Sequence, residues 1–301
     1  VGRLLIAPVS FGLGDLVVSL PAVQAVVTEG HRIGAEAWLV ARSSSQRLLA
    51  PRIAGLAGCV DETAMELVAG DRLFDLRDHP LQRDYWWGSA AFEQSVGPLG
   101  INEILGRICG DLGIDADFSR PVPLRARRRP DLGNSVLLVH KTDGPDKAWP
   151  SERWEAVAAE LSAGGFDVRQ VTRREPARDQ RDLPISALAA PTPGDAVDVL
   201  SSCRAVIGID TGLTHIAAQQ LTPTVTICRD SSVYFRPWGH CRVVRGGPCT
   251  EECVASETRY AYNERVSLRD FQPGPRSCPS GAPCLTASTP QRAVDSLRDL
   301  L

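Results

Sequence analysis

Lysine is nearly absent from this chain. Of its 33 lysine and arginine residues only Lys141 and Lys147 are lysine, and both fall in one stretch, HKTDGPDKAWP at 140–150. A composition rich in arginine, alanine, glycine and proline and poor in lysine is the product expected of a GC-rich genome. Under that drift solvated lysines are exchanged first, so a lysine that stays is a candidate for work needing a compact, flexible ammonium. Methionine is scarce as well, with Met65 alone. Long apolar runs are missing: none nears the ~18 residues that suggest a membrane span. The two residues ahead of the first strand do not read as a leader, and a segment before Val1 stays open because no initiator methionine is present. A surplus of one charge is missing too, since 33 basic and 36 acidic residues leave a net charge of −3. Nucleic acid is therefore not an expected partner. The expected location is the cytoplasm, with peripheral attachment at the inner face of the membrane as its variant.

What is present is the composition of a globular chain, 43% hydrophobic and 23% charged over 301 residues. That length suits two domains of ordinary size. RLLIAPV (3–9) is β-rich; SFGLGD breaks it, and LVVSLPAVQAVVTEG then reads as a helix ending near Gly30. AEAWLVA (35–41) is a second strand, SSSQRLLAPRIAG a helix, LFDLRD (73–78) a strand and INEILGRICGDLGI (101–114) a helix by its apolar spacing. After an arginine- and proline-rich stretch the alternation restarts. SVLLVHK (135–141) is a strand, and SERWEAVAAELSAGG a helix with Ser151 as N-cap and Gly164/Gly165 as its stop. DVRQVT, the helix DAVDVLSSC, AVIGID (205–210), the helix of LTHIAAQQ and PTVTIC (223–228) follow. Alternating β and α elements imply parallel sheets covered by helices. The expected fold class is α/β, with two Rossmann-like doubly wound domains facing across a cleft. The first spans 1–120, the linker 121–134, and the second 135–301 with a cysteine-rich tail.

Three motifs sit at strand ends, where such sheets bind ligands. In FGLGDLVVSLPA (11–22), Gly12-x-Gly14 looks like part of a dinucleotide fingerprint, but Val17 stands where the third glycine belongs. The second strand runs into Arg42 with no acid for a ribose, and Asp15 would repel a pyrophosphate. A dehydrogenase is not expected. Asp15 is either a helix cap or a general base held at a strand–helix turn. In the lysine stretch, an ammonium and a hydroxyl beside a helix start suit a phosphate; the competing reading is an exposed polar loop. In GIDTGLTHIAA (208–218), Asp210 ends a buried strand, and the N–H groups at 211–213 with the Thr214 hydroxyl make a candidate anion seat. His215, one turn on, reads as a packing histidine before it reads as a catalyst.

Taken together, FGLGDLVVSLPAV, the H-x-T-x4-K-x-W-P pattern at 140–150 and DTGLTHIAA resemble the glycosyltransferase family 9 enzymes, the ADP-heptose:lipopolysaccharide heptosyltransferases and their relatives. The resemblance implies a GT-B fold, with the donor nucleotide sugar held mainly by the second domain. It also implies an inverting transfer that requires no metal or other cofactor. By position it makes Asp15 the catalytic base and Lys147 the lysine at the donor phosphate or sugar. It assigns donor binding to Thr142, Glu175, Asp210, Thr211, Gly212 and Leu213, to which the reading of the two strand-end loops themselves adds Lys141 and Thr214. The expected partners are a nucleotide-diphosphate sugar, led by ADP-heptose, and a glycan, lipid-linked or small-molecule acceptor hydroxyl. In RDHPLQRDYWWGSAAFE (77–93), Arg83, Trp86 and Trp87 form with Gly14 a candidate acceptor side, since aromatic faces stack on sugars. Packing of that loop by the two tryptophans is the competing reading. The loop is acid-mixed and carries no lysine patch, which points away from a lipopolysaccharide acceptor. The lone D-x-D, Asp115 and Asp117, reads as surface. The alternative from another class is a member that binds a nucleotide sugar or a protein partner without transferring anything.

Nine cysteines complete the picture. Cys59, Cys109, Cys203 and Cys228 sit singly in apolar surroundings, as buried thiols do. The other five all lie in the last quarter, including Cys249-x3-Cys253 and Cys278-x5-Cys284. That spacing is looser than a zinc ribbon's C-x2-C pairs, so a structural zinc, free thiols and disulfide pairing all stay open.

Overall fold

The computed structural model describes residues 2–79, 101–142, 147–172, 182–229, 238–247 and 283–301. These divide into two compact units, one up to Arg125 and one from Ala126 onward.

The first unit is built on a four-stranded parallel sheet of β1 (Leu4–Ala7), β2 (Ala37–Ala41), β3 (Gly58–Asp61) and β4 (Arg72–Asp75), in the order β3-β2-β1-β4. All four residues of β1 are buried, as in a parallel strand covered on both faces. The expected single helix after β1 is two, α1 (Leu13–Val18) and α2 (Leu20–Ile33), joined at Ser19. Pro21 explains the break, because it has no N–H to give to a continuing helix and is at home in a first turn. The later helix does not stop at Gly30. It stops at Gly34, whose φ of 71° is the left-handed cap that glycine adopts without strain. Gly30 serves packing, since a Cβ there would lie 2.7 Å from the Ala35 carbonyl oxygen. The helix after β2 is also shorter than its apolar pattern suggests. α3 (Ser44–Leu49) gives way at Pro51 to a tight turn over Ala50–Arg52. α4 (Ile101–Asp111) buries Ile101, Ile104, Leu105, Ile108 and Cys109, the i, i+3, i+4, i+7, i+8 stripe of an amphipathic helix.

The second unit carries a six-stranded parallel sheet in the order β10-β9-β8-β5-β6-β7. Its strands are β5 (Ser135–Val139), β6 (Asp167–Thr172), β7 (Ser186–Ala189), β8 (Ala205–Ile209), β9 (Thr224–Ile227) and β10 (Cys241–Val244). The helices are α5 (Ser151–Ala163), α6 (Pro193–Leu200), α7 (Gly212–Gln219), α8 (Pro283–Thr286) and α9 (Pro290–Arg298). The N-cap of α5 is Pro150 rather than Ser151, which becomes the first helical residue. Its end is as expected, at Gly164, followed by Gly165 with φ of 85°. A core of Val136, Leu138, Trp154, Val157, Ile207, Ile209 and Val225 is closed by Ala293, Val294 and Leu297 of α9.

Both sheets reverse direction once. The chain lays β5, β6 and β7 outward on one side, then returns through α6 to set β8 against the other edge of β5. In the first unit β4 returns in the same way to β1. Each unit is therefore doubly wound, and the crevice beyond the carboxyl ends of the two strands flanking the reversal is where such sheets bind ligands.

Candidate functional site

In the second unit the reversal lies between β5 and β8, and the residues that follow these strands meet there. Lys147 Nζ is 3.3 Å from Asp210 Oδ2 and 3.4 Å from the Asp210 carbonyl oxygen. The Asp210 carboxylate is buried, and its other oxygen lies 3.0 Å from His215 Nε2. A carboxylate leaving a buried strand is thus gripped by an imidazole one helical turn on and by an ammonium from the neighbouring loop. Lys147 keeps about a fifth of its side chain exposed (22%), so the ammonium borders solvent while its counter-ion does not.

Directly after Asp210, α7 begins. Thr211 is its N-cap, with extended backbone (φ −142°, ψ 165°) and no side-chain hydrogen bond across the helix start. The first N–H groups, at Gly212 and Leu213, therefore have no capping hydroxyl in front of them. Such a start attracts anions through both the N–H groups and the helix dipole. The Thr214 hydroxyl, expected to join that seat, is engaged by the backbone of the preceding strand. It is wholly buried and donates 2.6 Å to the Ile209 carbonyl, with the Thr211 hydroxyl 3.4 Å away. Gly208 makes this approach feasible, for a Cβ there would come within 2.3 Å of Thr214 Oγ1.

Lys141, the other lysine, leaves β5 to pair with Asp182, just ahead of β7. Thr142 is buried beside it. Trp149 is buried and packs edge-on against Trp154, ring centroids 5.1 Å apart, which anchors the loop at its junction with α5. Glu175 lies outside the described residues, as do Arg83, Trp86 and Trp87 and the cysteines Cys249, Cys253 and Cys278. Cys284 is buried in α8. Among the described residues no group of three or more histidine, cysteine, aspartate or glutamate side chains could hold a metal ion.

In the first unit Asp15 occupies the third position of α1, next to Gly14, and its Oδ2 accepts the Gly12 N–H at 2.8 Å. Helix capping and a base at a strand–helix turn are thus both compatible with one geometry: the hydrogen bond fixes where the carboxylate stands. A Cβ on Gly12 would lie 2.6 Å from that oxygen, so any larger residue there would push the carboxylate out of this position. The residues around this turn were missed in the sequence. Arg42 follows β2 with its side chain wholly buried. Its guanidinium donates to the Pro8 carbonyl (3.0 Å), to Asp75 at the end of β4 (2.6 Å) and to Glu62 after β3. Arg77 meets the same Glu62 at 2.7 Å. One arginine therefore ties together the carboxyl ends of all four strands. The sequence signal was there, an arginine or acid at the ends of β2, β3 and β4, but pairing them requires the strand order.

Asp117 is exposed, and hydrogen bonds from Ser119 in a local turn hold its carboxyl below the usual carboxylate range.

Residues 114–262 match the profile of a family described as glycosyltransferase family 9 (heptosyltransferase). The lipopolysaccharide heptosyltransferase 1 of Pseudomonas aeruginosa is 24% identical over 269 residues, covering 82% of this chain and 67% of that protein. The enzyme of the same name from Escherichia coli K12 is 27% identical over 172 residues, so the chain spans about half (51%) of that relative's length. Among solved structures, a glycosyl transferase family 9 protein from Veillonella parvula superposes with a TM-score of 0.66 at 13% identity, covering 99% of this chain and 96% of the other. The two doubly wound sheets and these likenesses define the class as the GT-B glycosyltransferase fold. Within it, the chain is glycosyltransferase family 9-like, its residues 114–262 matching that family's profile.

Proposed function

We propose that the protein is an inverting glycosyltransferase that moves a sugar from a nucleotide diphosphate to an acceptor hydroxyl without a catalytic metal. The observation that carries the reading is the meeting of Lys147 with Asp210 at the reversal point of the second sheet, directly ahead of the uncapped start of α7. A diphosphate placed there gains the Lys147 ammonium and the N–H groups of Gly212 and Leu213. Together these can neutralise the charge that builds on the leaving group, the task of preorganised donors in transfer reactions. Asp210 and His215 hold the ammonium in place. In this reading Thr211 and Thr142 line the donor side, and Glu175 after β6 binds the ribose.

On the first unit Asp15 is the base. It takes the proton of the acceptor hydroxyl as that oxygen bonds to the anomeric carbon. The bond from that carbon to the diphosphate oxygen breaks, and its electrons leave with the nucleoside diphosphate. One displacement from the face opposite the leaving group inverts the centre. Gly14, Arg83, Trp86 and Trp87 belong to the acceptor side.

ADP-heptose leads as donor. A heptosyltransferase named TibC, described as dodecameric and iron-containing, was crystallised in complex with ADP-D-beta-D-heptose; it superposes with a TM-score of 0.64 at 17% identity, covering 99% of this chain and 76% of that one. The acceptor is a cell-envelope glycan or a secondary metabolite, and the reaction is placed in the cytoplasm. No helix among the described residues is long and apolar enough to cross a membrane.

Calorimetric titration with ADP, GDP, UDP and dTDP, without divalent metal, tests the donor side. Micromolar binding of one nucleotide that Lys147→Ala loses is the expected result. Binding of none by the wild type would remove the proposal.

A further inference from the structure

Gln46 is an uncharged side chain with no place in the chemistry above, yet it is buried to 0% exposure beside the turn that carries Asp15. Its amide is fully committed. Nε2 donates to the carbonyls of Ser10 (2.8 Å) and Gly12 (3.0 Å), and Oε1 accepts the Arg42 N–H (2.9 Å). Two acceptors on one side and a donor on the other leave only one orientation for the amide. Four residues earlier, Arg42 Nε donates to the Pro8 carbonyl at 3.0 Å. The carbonyls of Pro8, Ser10 and Gly12, every second residue of the turn after β1, are thus all held by side chains from the segment between β2 and α3. Gly12 lies at the end of this row, and its own N–H supports Asp15 Oδ2.

We propose that Gln46 is a positioning residue for Asp15: by clamping the Ser10 and Gly12 carbonyls it sets the direction of the Gly12 N–H, and through it the place of the carboxylate that takes the acceptor proton. The inference rests on Asp15 being the base. No bond to substrate is assigned to Gln46. The clamp needs an amide with two donor hydrogens and an acceptor at that reach. A methionine of similar volume offers neither. A glutamate keeps the acceptor for Arg42 but turns an oxygen toward two carbonyls.

The test compares wild type, Gln46→Met, Gln46→Glu, Asp15→Asn and the double variant Gln46→Met/Asp15→Asn, all as the full chain. Hydrogen exchange is followed by mass spectrometry in the peptide over 8–18. Turnover is followed as ADP released from ADP-heptose with water as acceptor, so that no acceptor need be known. Exchange over 8–18 is expected to quicken about tenfold or more in both Gln46 variants, while the β5 peptide stays as in the wild type, as local opening rather than global unfolding requires. Turnover should fall roughly ten- to a hundredfold in kcat with KM for ADP-heptose little changed, the signature of a misplaced group rather than lost donor binding. On the Asp15→Asn background, Gln46→Met should cost nothing further, because residues acting through one another are not additive.

Unchanged exchange over 8–18 in both Gln46 variants overturns the clamp, whatever the activity. Faster exchange with wild-type kcat overturns the positioning role, and so does a full additional loss in the double variant. Wild-type turnover in Asp15→Asn is a different failure: it removes the base and leaves the clamp as a feature of the turn alone. Should the wild type leave ADP-heptose intact, the donor reading fails and the exchange comparison decides the clamp.

Discussion

The ion pair of Lys147 and Asp210 has one exposed end and one buried end, and the two ends should answer differently to mutation. Asp210 is buried and accepts from His215 at 3.0 Å and from Lys147 at 3.3 Å. Replacing it with asparagine keeps the shape but removes the charge from both contacts and turns an amide N–H₂ toward one of two donors. Hydrogen bonds to a charged group are worth about 1.5–3 kcal/mol each. With one oxygen still able to accept, the net loss is about 2–4 kcal/mol, or roughly 5–15 °C in the Tm of a unit this size. Lys147→Ala removes a contact that is long and partly solvated, and His215 still donates to Asp210. A partly exposed pair of this kind contributes up to about 1 kcal/mol, so the Tm should stay within about 3 °C of wild type. Ligand binding should reverse the ranking of the two ends. Removing an ammonium from a diphosphate costs about 1.5–3 kcal/mol, or ten- to somewhat over a hundredfold in Kd. Lys147→Arg should not restore affinity fully, because a planar fork does not stand where a compact ammonium stood. Differential scanning calorimetry and titration with the preferred nucleoside diphosphate read both quantities on the same samples. If Lys147→Ala lowers the Tm as far as Asp210→Asn while binding the nucleotide like wild type, the lysine is a structural partner and the donor seat lies elsewhere.

Other perturbations test the frame around the sites. Arg42→Met should destabilise the first unit by about 1.5–3 kcal/mol, since it leaves the partly exposed Asp75 and the Pro8 carbonyl facing an apolar chain while Glu62 keeps Arg77; a chemical denaturation midpoint equal to wild type would refute the strand-end network. The Arg3 guanidinium and N–H, with the Val68 N–H, hold the Asp71 carboxyl well below the usual carboxylate range. A carboxyl depressed in the folded state contributes stability that is present above its unfolded pKa, near 4, and is lost as pH falls from there toward the folded value. Thermal melts at pH 7 and pH 3 should therefore differ more in wild type than in Asp71→Asn, and an equal difference would refute the assignment. Burial pushes the thiols of Cys109 and Cys241 up to about 12; neither should be alkylated by iodoacetamide at pH 8 in the native state, and labelling of either within minutes would show that its pocket opens. Thr214→Val should cost about 1–2 kcal/mol by orphaning the Ile209 carbonyl while leaving nucleotide affinity unchanged, as titration and melting together would show.

How much of this was legible in the sequence depends on whether a feature is local. β1, β5 and β8 are continuous apolar runs, and strands covered on both faces read that way. β7 was invisible: Ser186–Ala189 sits at the sheet edge, with three of its four residues exposed, and carries no β-branched or aromatic side chain. β3 and β10 are four residues each and broken by glycine or charge. Gly30 was mistaken for a stop because a glycine needed for close approach looks the same as one needed for a left-handed φ. Lys147 and Asp210 could each be singled out as strand-end residues, but that they pair depends on β8 lying beside β5, which no periodicity encodes. The partner of Lys141 is 41 residues away for the same reason. Gln46 gave no signal because an amide in a polar helix start is ordinary until its partners are known.

The scarcity of lysine gains a physical reading from the contrast between the two strand-end clusters. Arg42 gathers three acceptors from different strands while its side chain is wholly buried, a use that exploits a rigid fork of donors. Replacing that arginine with lysine would leave acceptors unmet, so arginine there is required rather than drifted. At Lys147 the demand is opposite. One buried carboxylate faces the ammonium at 3.3 Å, and a fifth of the side chain borders solvent, which leaves room for an incoming anion to share the charge. A guanidinium satisfied by fork-on-fork contact with Asp210 would be held too well to turn toward a diphosphate. A single point charge at modest distance can be shared by two anions without breaking the first contact, and that is the property a donor site needs. Lys141, paired with the exposed Asp182, makes no such demand. Lys141→Arg is therefore expected to keep nucleotide affinity within about twofold while Lys147→Arg lowers it, and equal effects from the two substitutions would refute this account of why lysine was retained.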